Sequence, residues 1–336
     1  MGYAAEKKRE EQRKKKAKHT LFFVVAIIVA ALFVFACIVT PNTWKFYVVL
    51  PNTGTRAEGE MRIHFVDVGQ GDATIIELPD GKIFLIDGGD GKESTETALM
   101  RYLNALQVET IDYLLVTHAD ADHCGALDSV LAYKQVNQAF IPFVKETVNE
   151  EYAAFYAALM QENCAVSYAS RSINISNTES PYPYTLSFLY PYTVDVLGEM
   201  DDTAGENNDG SAVVWLDYNG VSALFTGDAP SAVEEKLVWD HKMGLLPNVE
   251  LTSTEILKVA HHGSEYSTSL EFLEYIHAQT AVISCGLENA YGHPAPTVLD
   301  NLTEKGNKVY RTDLDGSIVI TVPQEWEKST VRKLGK

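Results

Sequence analysis

Ile111-Asp112-Tyr113-Leu114-Leu115-Val116-Thr117-His118-Ala119-Asp120-Ala121-Asp122-His123 is the stretch whose reading decides the fold and the chemistry. Its first half is apolar enough for a buried strand, and its second half sets His118, Asp120, Asp122 and His123 on the loop at the strand's end. Imidazole and carboxylate are ligands that divalent zinc, manganese or iron accept. Groups of this kind crowded together are not relaxed by burial unless a cation neutralises them, so a metal is the economical reading. A core or helix-cap histidine is the alternative for His118 and His123, weakened by the carboxylate neighbouring each.

Working outward, Asp67 to Asp72, Asp87-Gly88-Gly89, Gly227-Asp228 and His261-His262-Gly263-Ser264 also follow apolar runs. Strand ends far apart in sequence converge on one edge of a sheet, which is how a rigid scaffold presents a site. Turn carboxylates accepting backbone hydrogen bonds are the alternative for Asp87 and Asp228. Strands are expected over 62–68, 73–78, 82–86, 111–116, 212–218, 221–226, 256–260 and 280–284. Helices are expected over 93–106, 122–132, 149–162 and 270–276, with another from Ser231. The polar stretches 170–184 and 198–210 read as loops and candidate substrate rims. Two strand-rich halves with helices between them suggest two facing sheets covered by helices on their outer faces. No Walker or dinucleotide glycine pattern is present.

Leu21 to Val39 carries no charge. At 1.5 Å per residue it is about 28 Å long, close to the hydrocarbon core of a bilayer. Eight basic residues, Lys7 to Lys18, precede it, and the first basic residue after it is Lys45, which places the short N-terminus in the cytoplasm. A cleaved signal peptide is the alternative, and Val34-Phe35-Ala36-Cys37 is a poor lipoprotein signal. The expected organisation is a basic cytoplasmic tail (1–20), a transmembrane anchor (21–39), a stalk or lead-in (40–60), a catalytic domain (61–323) and a charged C-terminal tail (324–336).

Without the first 39 residues the chain keeps 19 basic against 43 acidic groups, a formal net charge of −24. That argues against a sequence-independent duplex binder, which needs a broad positive footprint. It does not exclude a phosphodiester in a pocket where a metal's charge dominates. Cys124, Cys164 and Cys285 allow at most one internal disulfide, so the domain must hold together by its core.

The words HFVDVGQGDATII (64–76), LIDGG (85–89), THADADHCGAL (117–127), FTGD (225–228), LKVAHHGSEYSTS (257–269) and YGHPAPTVL (291–299) together carry a resemblance. The chain resembles the metallo-β-lactamase superfamily, and within it the hydrolase-like domain of competence proteins that import DNA, the ComEC/Rec2 type. The resemblance runs from about residue 60 to residue 322 and implies an α/β fold, an αββα sandwich of two mixed sheets flanked by helices, with one or two divalent ions at the sheet edges. The family's His-x-His-x-Asp-His word falls on His118, Asp120, Asp122 and His123, with Asp120 where most members have a second histidine. The implied ligand sets are His118, Asp120 and Asp228 for one ion and Asp122, His123, Asp228 and His261 for the other. The family's middle histidine has no counterpart, because no histidine lies between His123 and His241. Oxygen-rich ligation moves the preference from zinc toward manganese, with zinc still acceptable to the imidazoles.

A strand continuing through His261 and His262 would point them to opposite sides, so one should ligate, and the resemblance favours His261. The mechanism this implies uses a water acidified by the metal as nucleophile, oriented by Asp122, with His293 protonating the leaving group. His293 has a packed loop histidine as its alternative. Asn208 and Ser211 match the family's Asn-x-x-Ser word. With Ser264, Tyr291 and His293 they are the expected substrate contacts, and turn or cap roles are the alternative for both serines. The function expected is an extracellular, membrane-anchored, metal-dependent phosphodiesterase or nuclease acting on a nucleotide, a single strand or another phosphodiester. A lactam, lactone or amide hydrolase, or a catalytically degenerate binding or scaffold protein, are the alternatives. A single span does not make a DNA channel, so no DNA transport by this chain alone is expected.

Overall fold

The computed structural model describes residues 2–38, 41–192, 208–324 and 329–336. The chain divides into two units, Met1–Val49 and Leu50–Lys336. In the first, Gly2–Ile38 is one helix, and its stretch Lys7–Phe35 is long and apolar enough to cross a membrane.

The second unit is built on two sheets. The first sheet takes β1 (Met61–Phe65), β2 (Thr74–Glu77), β3 (Ile83–Ile86), β4 (Thr110–Leu115), β5 (Gln135–Ile141) and β6 (Ala165–Tyr168). The second takes β7 (Asn174–Ser176), β8 (Tyr184–Tyr190), β9 (Val213–Tyr218), β10 (Val221–Phe225), β11 (Thr254–Lys258), β12 (Thr280–Ile283) and β13 (Lys308–Arg311). The chain then returns to the first sheet with β14 (Ile318–Val322) beside β1 and β15 (Thr330–Lys333) beside β14. Both sheets are mixed. β3 to β6 are parallel, as are β10 to β13, while β1 and β2 and β8 and β9 pair antiparallel.

Alternation along the strands explains the layering. Met61, Ile63 and Phe65 of β1 belong to the buried cluster that also holds Phe84, Phe140, Phe188, Val214 and Phe225, drawn from both sheets. A second cluster joins the other face of β10, β11 and β12, through Leu224, Leu257 and Ile283, to Leu237, Phe272 and Leu302 of the helices Ser231–Lys242, Leu270–Ile276 and Pro296–Glu304. Sheet against sheet, with helices outside, is the αββα sandwich.

Several expected boundaries change. The loop expected over 170–184 contains β7, and that over 198–210 lies outside the described residues apart from the turn Asn208–Gly210. Residues 330–333, expected in a charged tail, pair antiparallel with β14. The end of the expected stalk is also tied down. Arg62 donates to Thr53 O at 3.0 Å, Arg332 donates to the same carbonyl, and Arg56 donates to Leu78 O at 2.9 Å. On the same face of β1, buried His64 sits 2.8 Å from Glu77, which also pairs with Arg62. These charged residues read as polar in the sequence but work as a buried, mutually satisfied set.

The helix expected over 122–132 is two pieces, Ala121–Cys124 and Leu127–Tyr133, separated at Gly125. Gly125 N–H donates to Gly89 O at 2.9 Å, and a Cβ there would stand 2.3 Å from Gly91 N and 2.6 Å from Ala121 O. The break comes from backbone packed on backbone. Gly125→Ala should therefore destabilise the folded domain by about 1–3 kcal/mol, in the range of core overpacking. Chemical denaturation read by circular dichroism checks this, and an unchanged midpoint would show that the loops separate freely.

Candidate metal centre

The site forms where strands end. Asp72 precedes β2, Asp87 follows β3, Thr117 to His123 follow β4, Asp228 follows β10 and His261-His262 follow β11. Parallel pairing of β3 with β4 and of β10 with β11 puts each pair of exits on the same edge. Backbone bonds lock the loops together. Asp72 N–H donates to Asp122 O (3.0 Å), Gly89 N–H to Asp72 O (2.7 Å) and Gly88 N–H to His123 O (2.6 Å). A Cβ at Gly71 would meet Asp122 O at 2.4 Å, and its φ of +135° is one that side-chain-bearing residues rarely adopt.

Asp72, His123, Asp228 and His262 each offer one ligand atom, all within 4.8 Å of one another, and all four residues are buried. His123 Nε2 lies 3.2 Å from Asp228 Oδ1 and His262 Nε2 lies 3.2 Å from Asp122 Oδ2, both without hydrogen-bond alignment. His118 Nε2 is 3.7 Å from Asp120 Oδ2 and 3.8 Å from Asp228 Oδ2. Asp228 thus faces His118, His123, His261 and His262 together, as a bridging carboxylate would.

The donor atoms pass a test of fit. His118 Nε2, His123 Nε2, His262 Nε2, Asp72 Oδ1, Asp120 Oδ1 and Asp228 Oδ1 are buried and make no hydrogen bond among the described residues. Orphaned buried polar atoms are costly, and these converge with the chemistry a divalent ion takes. The opposite ring atoms are occupied. His123 Nδ1 sits 2.8 Å from Asp87 Oδ2, and His262 Nδ1 donates to Ser284 O at 2.9 Å. Asp87 also accepts from Thr117 N–H and Thr117 Oγ1, each at 2.8 Å. It is an orienting carboxylate, and fixing one ring nitrogen leaves the other free to ligate.

Charge is balanced tightly. Burial opposes ionisation of Asp228, but His123 and His262 hold its carboxyl well below the usual range. Burial likewise opposes ionisation of Asp122, and contact with His262 and the charge of His123 win there too, depressing its carboxyl. His123 is raised well above an ordinary imidazole, against its burial, by Asp228 and Asp87, and His262 is raised against its burial by Asp228 and Asp72. A field that draws protons onto imidazoles is one that favours a cation among them.

The expected residues separate into groups. His118, Asp120, Asp122, His123 and Asp228 come together. The expectation took His261 alone from the histidine pair, whereas the buried quartet contains His262, with His261 part-exposed and its Nε2 3.8 Å from Asp228 Oδ2. The reason is that β11 stops at Lys258 and strand alternation does not reach the pair. His293 and Tyr291 lie at the rim. The His293 ring centroid is 5.5 Å from that of His261, and exposed Tyr291 stacks on His293 at 5.8 Å. Asn208 Nδ2 is 3.4 Å from the His261 ring nitrogens. Ser211 and Ser264 have backbone duties: Ser211 Oγ accepts from Asp228 N–H (2.9 Å) and Ser264 Oγ accepts from Tyr266 N–H (3.4 Å). Both match their alternative turn roles better than substrate contact.

Two residues were missed as members of the site. Asp72 closes the glycine-rich Gly69-Gln70-Gly71-Asp72 turn, a signal that marked the stretch without separating Asp72 from Asp67, which instead pairs with Lys336. Lys258 is 3 % exposed, and its ammonium pairs with Asp72. Burial lowers the proton affinity of Lys258, but Asp72 and Asp228 raise it further, so it stays a cation. A lysine ending an apolar strand is its only sequence signal.

Beside Asp122 an open cleft of about 810 Å³ is lined by Asp90, Asp128, Glu150, Glu151 and Tyr291. Among the described residues Lys92 is the one basic residue on its lining, and it pairs with Asp90. A second cavity of about 330 Å³, bounded by Val221, Thr280 and Lys308, lies at the opposite strand ends, away from the cluster.

Residues 66–287 match the metallo-beta-lactamase superfamily. The chain is 31% identical over 279 residues to ComE operon protein 3 of Bacillus subtilis (strain 168), covering 78% of this chain and 33% of that protein. It is 28% identical over 264 residues to competence protein ComA of Neisseria gonorrhoeae, covering 78% and 32%. The chain thus spans about a third of the length of these curated relatives. Among solved structures it is similar in fold to a CmlA beta-hydroxylase mutant, with a TM-score of 0.50 at 14% identity, over 80% of this chain and 55% of that one. The sandwich, the strand-end cluster of histidines and aspartates and the matched residues agree: the chain belongs to the metallo-beta-lactamase superfamily, and its domain is of the ComEC/Rec2 competence type.

Proposed function

We propose that this chain is a metal-dependent phosphodiester hydrolase held at the membrane by its N-terminal helix. The observation that carries the hydrolytic reading is the cluster of orphaned, buried imidazole and carboxylate atoms from His118, Asp120, His123, Asp228 and His262 around Asp228 at the strand ends. Those residues, with Asp122, would hold one or two divalent ions of zinc or manganese. When bound, such an ion supplies Lewis acidity and brings the pKa of water toward neutrality.

The chain's own residues supply the rest. Asp122 borders both the cluster and the cleft, which supports a role for its carboxylate in orienting an attacking water. Burial first, and then the charge of His261 and His262, lowers the pKa of His293, and its Nδ1 has no partner. The negative charge of a bound phosphate would raise the ring's proton affinity, so that the ring takes a proton from solvent and passes it to the leaving oxygen. Tyr291 offers an exposed aromatic face beside it, which suits a nucleobase or another flat group. The name of one relative, competence protein ComA, sets nucleic-acid phosphodiesters as the first class to test.

The Lys/Arg bias before the apolar stretch supports a cytoplasmic N-terminus and an external catalytic domain. Protease added to intact cells should then digest the domain, and full protection would reverse the orientation.

Full-length protein in detergent, given manganese or zinc, should hydrolyse at least one of bis-p-nitrophenyl phosphate, single-stranded DNA and a cyclic dinucleotide. Asp228→Asn should lower that turnover by at least about a hundredfold while the fold persists, because the change is nearly isosteric and removes the shared charge. No metal-dependent turnover on any of the three substrates would sink the reading. Stripping metal with a chelator should lower the melting temperature, because the carboxylates lose their counter-ion. An unchanged melting curve after verified removal would mean that Lys258 and the protonated imidazoles satisfy the cluster alone.

A further inference from the structure

His261 and His262 have φ, ψ of 50°, 46° and 53°, 19°. Consecutive side-chain-bearing residues in the left-handed region are uncommon, and such strain gathers where the surroundings demand a particular geometry. Here the double left-handed turn undoes the alternation of a strand. It brings His261 Nε2 to 3.8 Å and His262 Nε2 to 3.5 Å from the same oxygen, Asp228 Oδ2, with the two ring centroids 6.2 Å apart. His262 enters the buried quartet, anchored by Ser284 O.

His261 lies next to Asn208. His118 Nε2 also faces Asp228 Oδ2, at 3.8 Å, and Asp120 Oδ2, at 3.7 Å. His118 Nε2 and Asp120 Oδ1 are buried and without partners, and His118 is 5 % exposed. Ligand atoms about 2.0–2.2 Å from one tetrahedral ion stand roughly 3.3–3.6 Å apart, so these separations close to a single ion with small side-chain movement. That half of the site is the one whose middle histidine is missing from the sequence.

Building on the metal-dependent reading above, we propose that the adjacent histidines are divided between two ions. His261 completes a site with His118 and Asp120, in place of the missing histidine. His262 completes a site with Asp122 and His123, and Asp228 is shared.

Metal equivalents are counted on the full-length chain in detergent, stripped and then dialysed against manganese or zinc, with no substrate present. Wild type should hold two equivalents. His261→Asn and His118→Asn should each hold one, and the double variant should still hold one, because both residues serve the same ion. His261→Asn combined with His262→Asn should hold none. Cobalt(II) absorption should change in the same pattern, and His261→Gln provides a second variant should His261→Asn fail to fold by circular dichroism. Two equivalents in His261→Asn, none in the His118/His261 double variant, or a single equivalent in wild type would each overturn the division. Two equivalents without turnover on any phosphodiester would sink the functional reading and leave this one standing.

Discussion

The structure depends on keeping buried negative charge in one place. Asp72, Asp87 and Asp228 are each at most 3 % exposed, and Asp120 and Asp122 stand beside them. Carboxylates at this density in a low-dielectric interior are tolerable only with matched positive charge within contact distance. The chain meets part of the demand itself, through Lys258 on Asp72 and His123 on Asp87. What remains falls on Asp228, which His118, His123, His261 and His262 face.

Holding such groups together needs loops that do not drift. Glycines at 71 and 125 let the loops approach backbone to backbone, Gly88 and Gly89 make room for the Leu127, Thr95 and Val68 side chains, and the bonds among Asp72, Gly88, Gly89, Asp122, His123 and Gly125 fasten the loops. The sandwich beneath contributes differently: its parallel strands aim consecutive exits the same way. Rigid strands with interlocked exits are the means by which residues 190 positions apart, Asp72 and His262, come to share one point.

How much of this was legible in the sequence depended on whether a signal was local. Thr117 to His123 could be read because strand, turn and ligands are contiguous, and Gly227-Asp228 because a strand runs straight into it. The sheet content of Gln135–Ile141 could not, since its alternation is irregular and its neighbours β4 and β6 are supplied by distant sequence. The split at Gly125 depends on Gly89 and Gly91 pressing from another loop. Lys258 and Asp72 are unremarkable apart and become legible only as a pair. Alternation does not carry to the histidine pair for a backbone reason: it assumes an extended chain, and residues 261 and 262 are left-handed.

The acidic cleft has a kinetic corollary. Asp90, Asp122, Asp128, Glu150 and Glu151 line the approach to the cluster, against one lysine already paired. At low ionic strength their fields reach tens of ångströms, and at about 0.15 M salt only about 8 Å. A long polyanion is thus repelled before contact, and added salt speeds its encounter, the reverse of the salt response of proteins that grip nucleic acid through lysine and arginine. A short ester with one negative charge crosses the same rim with little delay. On the proposed hydrolytic reading, the rim would set arrival rates by net charge, slowing a long polyanion more than a short monoanion until a bound ion's charge offsets the carboxylates.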